Sequence, residues 1–291
     1  MHQILILSGK GGTGKTTVAS AFIHLSQAKA YADCDVDAPN LHLVMGSFET
    51  EQKQDYMGLK KAFIDPELCI GCDACRQVCR FDAIEAEPQY HVINIACEGC
   101  RACAHACPQD AISFVDSKVG DLRLLQRGDE HFSTATLIMG SGTTGKLVTQ
   151  VKNQLKQAVD PNEVAILDGS PGIGCPVIAS LSGVNLALMV AEPSVSGISD
   201  LKRVIASARQ LQVPVAVIVN KYDMHEQKSA DIEVFCFKEG IPFLGKIPYD
   251  REAVHSLNQG LTLDQISSNG AEAVKSIYSR TLDLVKETMK G

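Results

Sequence analysis

Short apolar runs alternate with stretches of helical periodicity along most of the chain. Residues 3 to 8 (QILILS) predict a strand, and the spacing in TTVASAFIHLSQA predicts a helix soon after it. From residue 160 onward the alternation continues through VAILD, PVIASLSG, NLALMVAEP, SDLKRVIASARQLQ, PVAVIVN, a helix to Glu239 and PFLGKIP. A last helix is predicted from about Gly270. We therefore expect an α/β fold with a mostly parallel sheet covered on both faces.

The first predicted strand and helix are joined by GKGGTGKTT, residues 9 to 17. A glycine-rich turn of this kind lets backbone N–H groups surround phosphate oxygens, while its lysine reaches the β- and γ-phosphates and its threonine binds Mg²⁺. The sequence thus predicts a nucleotide site with Lys15 on the phosphates and Thr16 on Mg²⁺. The other predicted contacts in this loop are Gly11, Gly12, Thr13, Gly14 and Thr17.

The middle of the chain breaks the α/β pattern with two cysteine runs. Cys69, Cys72, Cys75 and Cys79 have the spacing C-x₂-C-x₂-C-x₃-C, and Cys97, Cys100, Cys103 and Cys107 repeat it. The residues between the runs predict a turn and a pair of short apolar strands. The segment DAISF, residues 110 to 114, is similar to DAIEA, residues 82 to 86, as expected for a duplicated unit. With eight of eleven cysteines in two tight clusters, thiolates in a reducing compartment are favoured over disulfides.

Charge and hydropathy exclude two classes of partner. The formal net charge is −7 and there is no basic run, so nucleic acid is not expected. The longest apolar runs, such as VNLALMVA at 184 to 191, are much shorter than the roughly 18 residues of a membrane span. We expect a cytoplasmic protein that does not bind membrane.

A second lysine early in the phosphate loop, Lys10, makes the sequence resemble the deviant Walker A ATPases of the MinD/Mrp superfamily, which includes nitrogenase iron proteins. The resemblance covers nearly the whole chain. It implies a P-loop ATPase that forms a nucleotide-dependent homodimer, in which Lys10 reaches the partner's nucleotide as an arginine finger does.

Later motifs follow in the order that the resemblance implies. In AYADCDVDAPN, residues 30 to 40, Asp35 is the best match for the Asp that orients the attacking water, and Asp33 and Asp37 are weaker matches. In VAILDGSPGIG, residues 164 to 174, Asp168 matches the carboxylate that holds Mg²⁺ through water, and Gly172 matches the amide that senses the γ-phosphate.

Two segments are predicted to hold the base. Asn220, Lys221 and Asp223 spell the NKxD of guanine-binding GTPases, whose carboxylate accepts hydrogens that adenine lacks. The resembled ATPases also carry an Asn here, and their early lysine is present, so ATP is favoured over GTP. In IPYD, Pro248, Tyr249 and Asp250 resemble the loop that packs the adenine from the other side.

The two cysteine runs resemble those of two-cluster ferredoxins, in which three cysteines of one run and the fourth of the other hold each [4Fe–4S] cluster. The resemblance implies one cluster on Cys69, Cys72, Cys75 and Cys107 and another on Cys97, Cys100, Cys103 and Cys79. The first run has Arg80 where the ferredoxin pattern has Pro. Zinc is the alternative for such pairs of cysteines, but four per run at this compact spacing favour [4Fe–4S].

Together these features predict a chain of three segments: a first ATPase segment at 1–59, an inserted ferredoxin-like α+β domain at 60–117 and a second ATPase segment at 118–291. We expect a Mg²⁺-dependent ATPase that transfers electrons from two clusters to a redox or metallocofactor partner. One alternative is an Fe–S cluster carrier with a metal site between subunits near Cys175. Another is a positioning switch similar to MinD or ParA, with clusters that sense redox state.

Overall fold

The computed structural model describes residues 1–138, 140 and 144–288, in two compact units. The first unit consists of Met1–Gln54, Leu122–Thr136 and the chain from Thr144 onward. The second consists of Asp55–Asp121 and a short segment that begins at Leu137. The predicted domain boundaries at 60 and 117 remain predictions.

The strands and helices of both units are numbered in chain order. The strands of the described chain are β1 (His2–Leu7), β2 (Ala30–Asp33), β3 (Thr50–Met57), β4 (Lys61–Ile64), β5 (Ile84–Glu85), β6 (His91–Val92), β7 (Ile112–Val115), β8 (Lys118–Arg127), β9 (Glu130–Leu137), β10 (Val164–Asp168), β11 (Leu186–Ala191), β12 (Val215–Asn220) and β13 (Phe243–Ile247). The α-helices are α1 (Lys15–Ser26), α2 (Ala74–Val78), α3 (Ala102–Ala106), α4 (Thr144–Ala158), α5 (Cys175–Leu181), α6 (Val195–Gln210), α7 (Glu226–Lys238), α8 (Arg251–Asn258) and α9 (Asn269–Thr288). Short 3₁₀ helices span Leu41–Leu43, Tyr222–Met224 and Leu263–Gln265.

A nine-stranded sheet has the order β13-β12-β11-β1-β10-β2-β9-β8-β3. The pairs from β13 to β9 are parallel, and at the centre Ile4 of β1 lies between Ile166 of β10 and Leu186 of β11. Central strands of such a sheet are buried on both faces, which explains why they read as continuous apolar runs. The predicted α/β fold with a mostly parallel sheet is confirmed.

Helices cover both faces of the central strands. Ile4 and Ile6 belong to a buried core that also includes residues of α1 and α9. Alternate residues of a strand point to opposite faces, so Leu5 and Leu7 face the other side, where α5 packs on β1 and α4 packs on α5. This arrangement brings the carboxyl ends of the parallel strands to one edge, where loops can build a site.

Three strands at one end of the sheet were not predicted: β3, β8 and β9. β3 has the sequence TEQKQDYM and is exposed except for Tyr56. It lies at the edge of the sheet, and edge strands tolerate polar residues on both faces. Its apolar pattern is therefore too weak to mark a strand.

The second unit is small and has its own core. β4 pairs with β7 and β5 pairs with β6, both antiparallel, and the latter pair occurs where the residues between the cysteine runs predict it. The buried core residues are Ala62, Ile64, Cys75, Ala83, Ile84, Cys97 and Cys103. Cysteines thus form part of the core, and the ferredoxin-like identity of this unit remains a prediction.

No helix within the described ranges is long and apolar enough to cross a membrane.

Candidate functional site

The phosphate loop joins β1 to α1 and lines a cavity in the first unit. Gly14 has φ +89°, and a Cβ at this position would lie 2.1 Å from Nδ2 of Asn220, so only glycine fits. Asn220 Nδ2 donates to the carbonyl of Thr13 at 2.7 Å, which joins the loop to the end of β12. The predicted site residues that line this cavity are Lys10, Gly11, Gly12, Thr13, Gly14, Lys15, Thr16, Thr17, Asp35, Asn220, Pro248, Tyr249 and Asp250.

Asp168 lies at the end of β10, where it binds two residues of the phosphate loop. Lys15 Nζ is 2.6 Å from Asp168 Oδ1, and the Thr16 hydroxyl is 2.7 Å from Oδ2. Both charged side chains are nearly inaccessible to solvent, with exposed fractions of 7% for Lys15 and 0% for Asp168. Burial lowers the pKa of Lys15, but the Asp168 carboxylate outweighs it, so the pKa is raised overall and the ammonium is kept. A hydroxyl and a carboxylate side by side are oxygen ligands of the kind that Mg²⁺ prefers.

Asp33 organises the loop that follows β2. Its Oδ1 accepts from the amide of Asp35, and its Oδ2 accepts from the amides of Asn40 and Leu41, at 2.9 to 3.0 Å. Its side chain is fully buried, and burial, with the nearby Asp168 carboxylate, raises its pKa to about 7. Asp33 therefore holds the loop in place, and does not line the cavity itself.

Asp35 and Asn40 are the residues that this loop presents to the cavity. Asp35 is half-buried, and burial raises its pKa. Asn40 Oδ1 is 3.1 Å from the Thr16 hydroxyl. Asp37, the other weaker match, is exposed. Asn40 was not predicted as a site residue, although its position five residues after Asp35 puts it in the same loop.

Gly172 follows β10 in a loop with φ +99°. Its amide donates to the carbonyl of Ser8 at 3.0 Å. The amide predicted to sense the γ-phosphate thus has a backbone acceptor at the start of the phosphate loop.

Lys10 is bound by residues of its own chain. Its ammonium is 2.5 Å from Glu192 Oε2, 3.1 Å from the Ser194 hydroxyl and 3.4 Å from the Ser196 hydroxyl. Glu192 was not predicted as a site residue. The available signal was its place directly after β11, since the carboxyl ends of parallel strands share one edge of the sheet.

Near the predicted base pocket, Asp223 has a backbone partner. Its Oδ1 accepts from the amide of Tyr249 at 2.7 Å, so the NKxD carboxylate holds the loop that contains Pro248 and Asp250. Lys221 Nζ donates to the carbonyl of Gly12 at 2.8 Å. Asp223 is not among the residues that line the cavity.

In the second unit, the structure brings the eight cysteines of the two runs together as two sets of four. Cys69, Cys72 and Cys75 line one cavity together with Cys107 of the other run. Cys97, Cys100 and Cys103 line a second cavity together with Cys79. The sets match those implied by the resemblance to two-cluster ferredoxins, and their roles as ligands remain predictions.

The cysteine sulfurs already accept backbone hydrogen bonds. The amides of Ala83, Gly99 and Ala111 lie 3.3 to 3.4 Å from the sulfurs of Cys79, Cys97 and Cys107. Among the described residues there is no group of three or more His, Cys, Asp or Glu side chains placed to hold one metal ion. The four thiols of each set line one cavity in common.

The other three cysteines differ in exposure. Cys34 and Cys236 are buried, and burial raises their pKa values to about 12 and about 11, so both are protonated thiols at neutral pH. Cys175 is exposed and is the first residue of α5.

Comparisons with known proteins extend these observations. The model of the CobQ/CobB/MinD/ParA nucleotide binding domain matches residues 4–263. An uncharacterized protein of Methanocaldococcus jannaschii is 31% identical and aligns over 97% of both chains. The iron-sulfur cluster carrier protein of that organism is 22% identical over 98% of this chain and 85% of its own. Among solved structures, the septum site-determining protein MinD of Pyrococcus horikoshii, complexed with Mg-ADP, has a TM-score of 0.60 at 17% identity and covers 99% of this chain and 98% of its own.

Proposed function

The chain belongs to the CobQ/CobB/MinD/ParA nucleotide-binding family, and we propose that it is a Mg²⁺-dependent ATPase that couples its nucleotide state to electron transfer from two [4Fe–4S] clusters. The electron acceptor is a partner protein, in the assembly or reduction of a metallocofactor. The proposal combines two sites that each have support in the described residues: the phosphate loop with Asp168, and the two sets of four cysteines.

At the nucleotide site, the amides of Gly11 to Gly14 bind the phosphates and Lys15 neutralises their charge. The Thr16 hydroxyl and the Asp168 carboxylate would hold Mg²⁺, which would compensate charge on the phosphates. Because Asp168 now pairs with Lys15 at 2.6 Å, nucleotide binding exchanges one anionic partner of Lys15 for another. The charge of this buried lysine therefore stays compensated.

Hydrolysis requires an oriented water and compensation of the charge that develops on the phosphoryl oxygens. Asp35 lines the cavity on a loop fixed by three hydrogen bonds to Asp33, so its carboxylate can orient the water. Lys10 supplies positive charge to the nucleotide of a second copy in a nucleotide-dependent homodimer. The loop of Asp35 is already held by Asp33, and a preorganised group of this kind acts without rearranging during the reaction.

The cysteine sets fit [4Fe–4S] clusters in number, residue type and grouping. Cys69, Cys72, Cys75 and Cys107 would hold one cluster, and Cys97, Cys100, Cys103 and Cys79 the other. Each cluster would supply one-electron redox chemistry. The chain's own contribution is the placement of the thiolates and the amide hydrogen bonds to their sulfurs, which tune the potential.

The two functions can be coupled because the cysteine unit is inserted between parts of the nucleotide site. The loop that contains Asp35 precedes the cysteine unit in the chain, and Asp168 follows it. Loops that contact the γ-phosphate change conformation when it is lost. Because the chain connects the cysteine unit to these loops, their conformational change can alter the cysteine unit as well.

The observation that carries the proposal is the grouping of three cysteines of one run with the fourth of the other, on a chain with a complete phosphate loop. An anaerobic preparation should contain about eight irons per chain. Cys69→Ser and Cys107→Ser should lose the same EPR signal, and Cys97→Ser and Cys79→Ser should lose the other. The proposal fails if Cys107→Ser and Cys97→Ser affect the same signal, or if the protein with its full iron content does not hydrolyse MgATP.

A second candidate function is an Fe–S cluster carrier, in which the cluster is the cargo. Two observations favour it: Cys175 is exposed at the start of α5, and a similar protein is named an iron-sulfur cluster carrier. Cys175→Ser should then abolish cluster transfer to an apo-ferredoxin while about eight irons per chain remain bound. Cys236→Ser, at a buried site, is the matched control. Unchanged transfer by Cys175→Ser would exclude this role for Cys175.

A further inference from the structure

The two cysteine runs form a structural repeat with an offset of 28 residues. Residues at equivalent positions share uncommon backbone conformations with positive φ: Gly71 and Gly99 at 70° and 65°, Asp73 and Arg101 at 67° and 69°, and Asp82 and Asp110 at 48° and 50°. The amide-to-sulfur hydrogen bonds repeat in the same way, from Ala83 to Cys79 and from Ala111 to Cys107. Equivalent positions therefore have the same place relative to their own cysteines.

The charged side chains differ between equivalent positions of this repeat. Asp73 lines the first cavity, and Arg101, its equivalent, lines the second. The Asp73 carboxylate forms two hydrogen bonds with the guanidinium of Arg76, at 2.6 and 2.7 Å, and accepts from the Tyr90 hydroxyl at 2.9 Å. Arg101 lies over the ring of Phe114, 5.2 Å from its centroid.

A further cation lies near the second cavity. Lys61 Nζ donates to the carbonyl of Cys97, the first cysteine of that set. Glu98 also lines the second cavity, so this cavity has one negative charge to set against that of Arg101, while Asp73 at the first cavity pairs with Arg76. After these two compensations, Lys61 leaves the second set with the more positive surroundings.

We propose that the cluster on Cys97, Cys100, Cys103 and Cys79 has a higher reduction potential than the cluster on Cys69, Cys72, Cys75 and Cys107. This inference rests on the proposed function. Adding an electron makes a cluster more negative, so nearby cations favour the reduced form and carboxylates disfavour it. An electron shared between the two clusters would therefore reside mainly on the set that contains Cys97. Lys61, Arg101 and Asp73 set this order without binding iron.

The test is a potentiometric titration of the full chain with dithionite, followed by EPR. Wild-type protein should show two separate one-electron steps. Lys61→Gln and Arg101→Gln should lower only the higher potential, each by a severalfold change in the reduction equilibrium constant, where tenfold equals 59 mV for one electron. Asp73→Asn should raise only the lower potential.

Two variants separate charge from packing. Lys60→Gln is the matched control for Lys61→Gln, because Lys60 is the adjacent residue and pairs with the exposed Asp116 at 3.3 Å. It should leave both potentials unchanged. Arg101→Lys keeps the charge and should restore the potential that Arg101→Gln loses.

Iron content distinguishes a failure of the proposed function from a failure of the inference about the two reduction potentials. Protein without about eight irons per chain contradicts the proposed function itself. With that iron content, one common potential for both clusters, or unchanged potentials in Lys61→Gln and Arg101→Gln, overturns this inference and leaves the proposed function standing.

Discussion

The ammonium of Lys10 lies 2.5 Å from the carboxylate of Glu192 in the same chain. The hydroxyls of Ser194 and Ser196 lie within 3.4 Å of the same ammonium. If Lys10 acts on the nucleotide of a second copy, as we propose, it must first leave these partners. Glu192 therefore competes with the homodimer for Lys10.

Glu192→Gln should strengthen nucleotide-dependent dimerisation. Both side chains of the pair are partly exposed, and such pairs contribute about 0.2–1 kcal/mol each. Formation of the homodimer breaks two of them, one in each chain, so we expect a roughly twofold to thirtyfold lower dimer dissociation constant. Sedimentation velocity with Mg²⁺ and a non-hydrolysable ATP analogue measures it. Lys10→Gln should prevent dimerisation and retain nucleotide binding. Glu239→Gln, which removes a surface pair with Arg209, is the control, and weaker dimerisation of Glu192→Gln would contradict the competition.

Asp35→Asn should slow ATP hydrolysis by about 10²- to 10⁴-fold with little change in ATP affinity, because a positioned general base typically contributes that much. The Asp35 carboxylate lines the cavity, whereas Asp168 is the carboxylate that contacts Lys15 and Thr16, so the phosphate contacts of those two residues remain. Steady-state turnover and equilibrium binding separate the two effects. Asp37→Asn, in the same loop but exposed, should behave as wild type. Equal losses of ATP turnover in Asp35→Asn and Asp37→Asn would show that Asp35 does not orient the attacking water.

Asp33 should make the free energy of unfolding depend on pH. Its pKa is raised from 3.8 to about 7 in the folded protein, chiefly by burial, so the folded protein binds a proton that the unfolded chain releases. The contribution of this group is present at low pH and is lost as pH rises through about 7.

As the pH rises from 5.5 to 7.5, the free energy of unfolding should therefore fall by about 1–2 kcal/mol less in Asp33→Asn than in wild type. Anaerobic urea unfolding followed by circular dichroism measures both. The comparison uses slopes, because the amide also replaces an acceptor of three backbone hydrogen bonds and lowers stability at every pH. Parallel pH profiles would show that Asp33 is ionised throughout.

Asp223 should position the loop that contains Pro248, Tyr249 and Asp250. It should not distinguish guanine from adenine. Asp223→Ala removes the acceptor of the Tyr249 amide and should weaken ATP binding by roughly threefold to tenfold, as expected for one lost hydrogen bond. Asp223→Asn keeps a carbonyl oxygen for that amide and should bind ATP nearly as wild type. Fluorescence titration with ATP and GTP measures both affinities. If wild type prefers GTP and Asp223→Asn loses that preference, the carboxylate reads the base.

Local patterns in the sequence predict the elements that surround the site. β1, β10 and β12 are buried apolar runs, and the phosphate loop is a continuous segment, so their residues alone indicate the fold and the nucleotide site. The grouping of the cysteines also follows from their spacing together with a known ligand pattern. Each of these features follows from a local run of residues or from a ligand pattern known in other proteins.

Contacts between distant residues that no known ligand pattern connects could not be predicted. Lys10 and Glu192 are far apart in the chain and meet only because their strands lie side by side. Lys61, the first residue of β4, reaches the carbonyl of Cys97 in the loop after β6, and no pattern in the sequence marks this contact. β3 is polar on both faces, so its pairing depends on the sheet already formed. Such features require the assembled fold.

Coupling between nucleotide and clusters can be measured in anaerobically purified protein by an EPR-monitored redox titration, first with MgADP and then with a non-hydrolysable ATP analogue. We predict that at least one cluster potential differs between the two nucleotides by about 60 mV or more, which is about 1.4 kcal/mol per electron. Lys15→Ala, which loses the phosphate contact, should abolish the difference. Identical potentials with both nucleotides, in protein shown to bind each of them, would contradict thermodynamic coupling between the two sites.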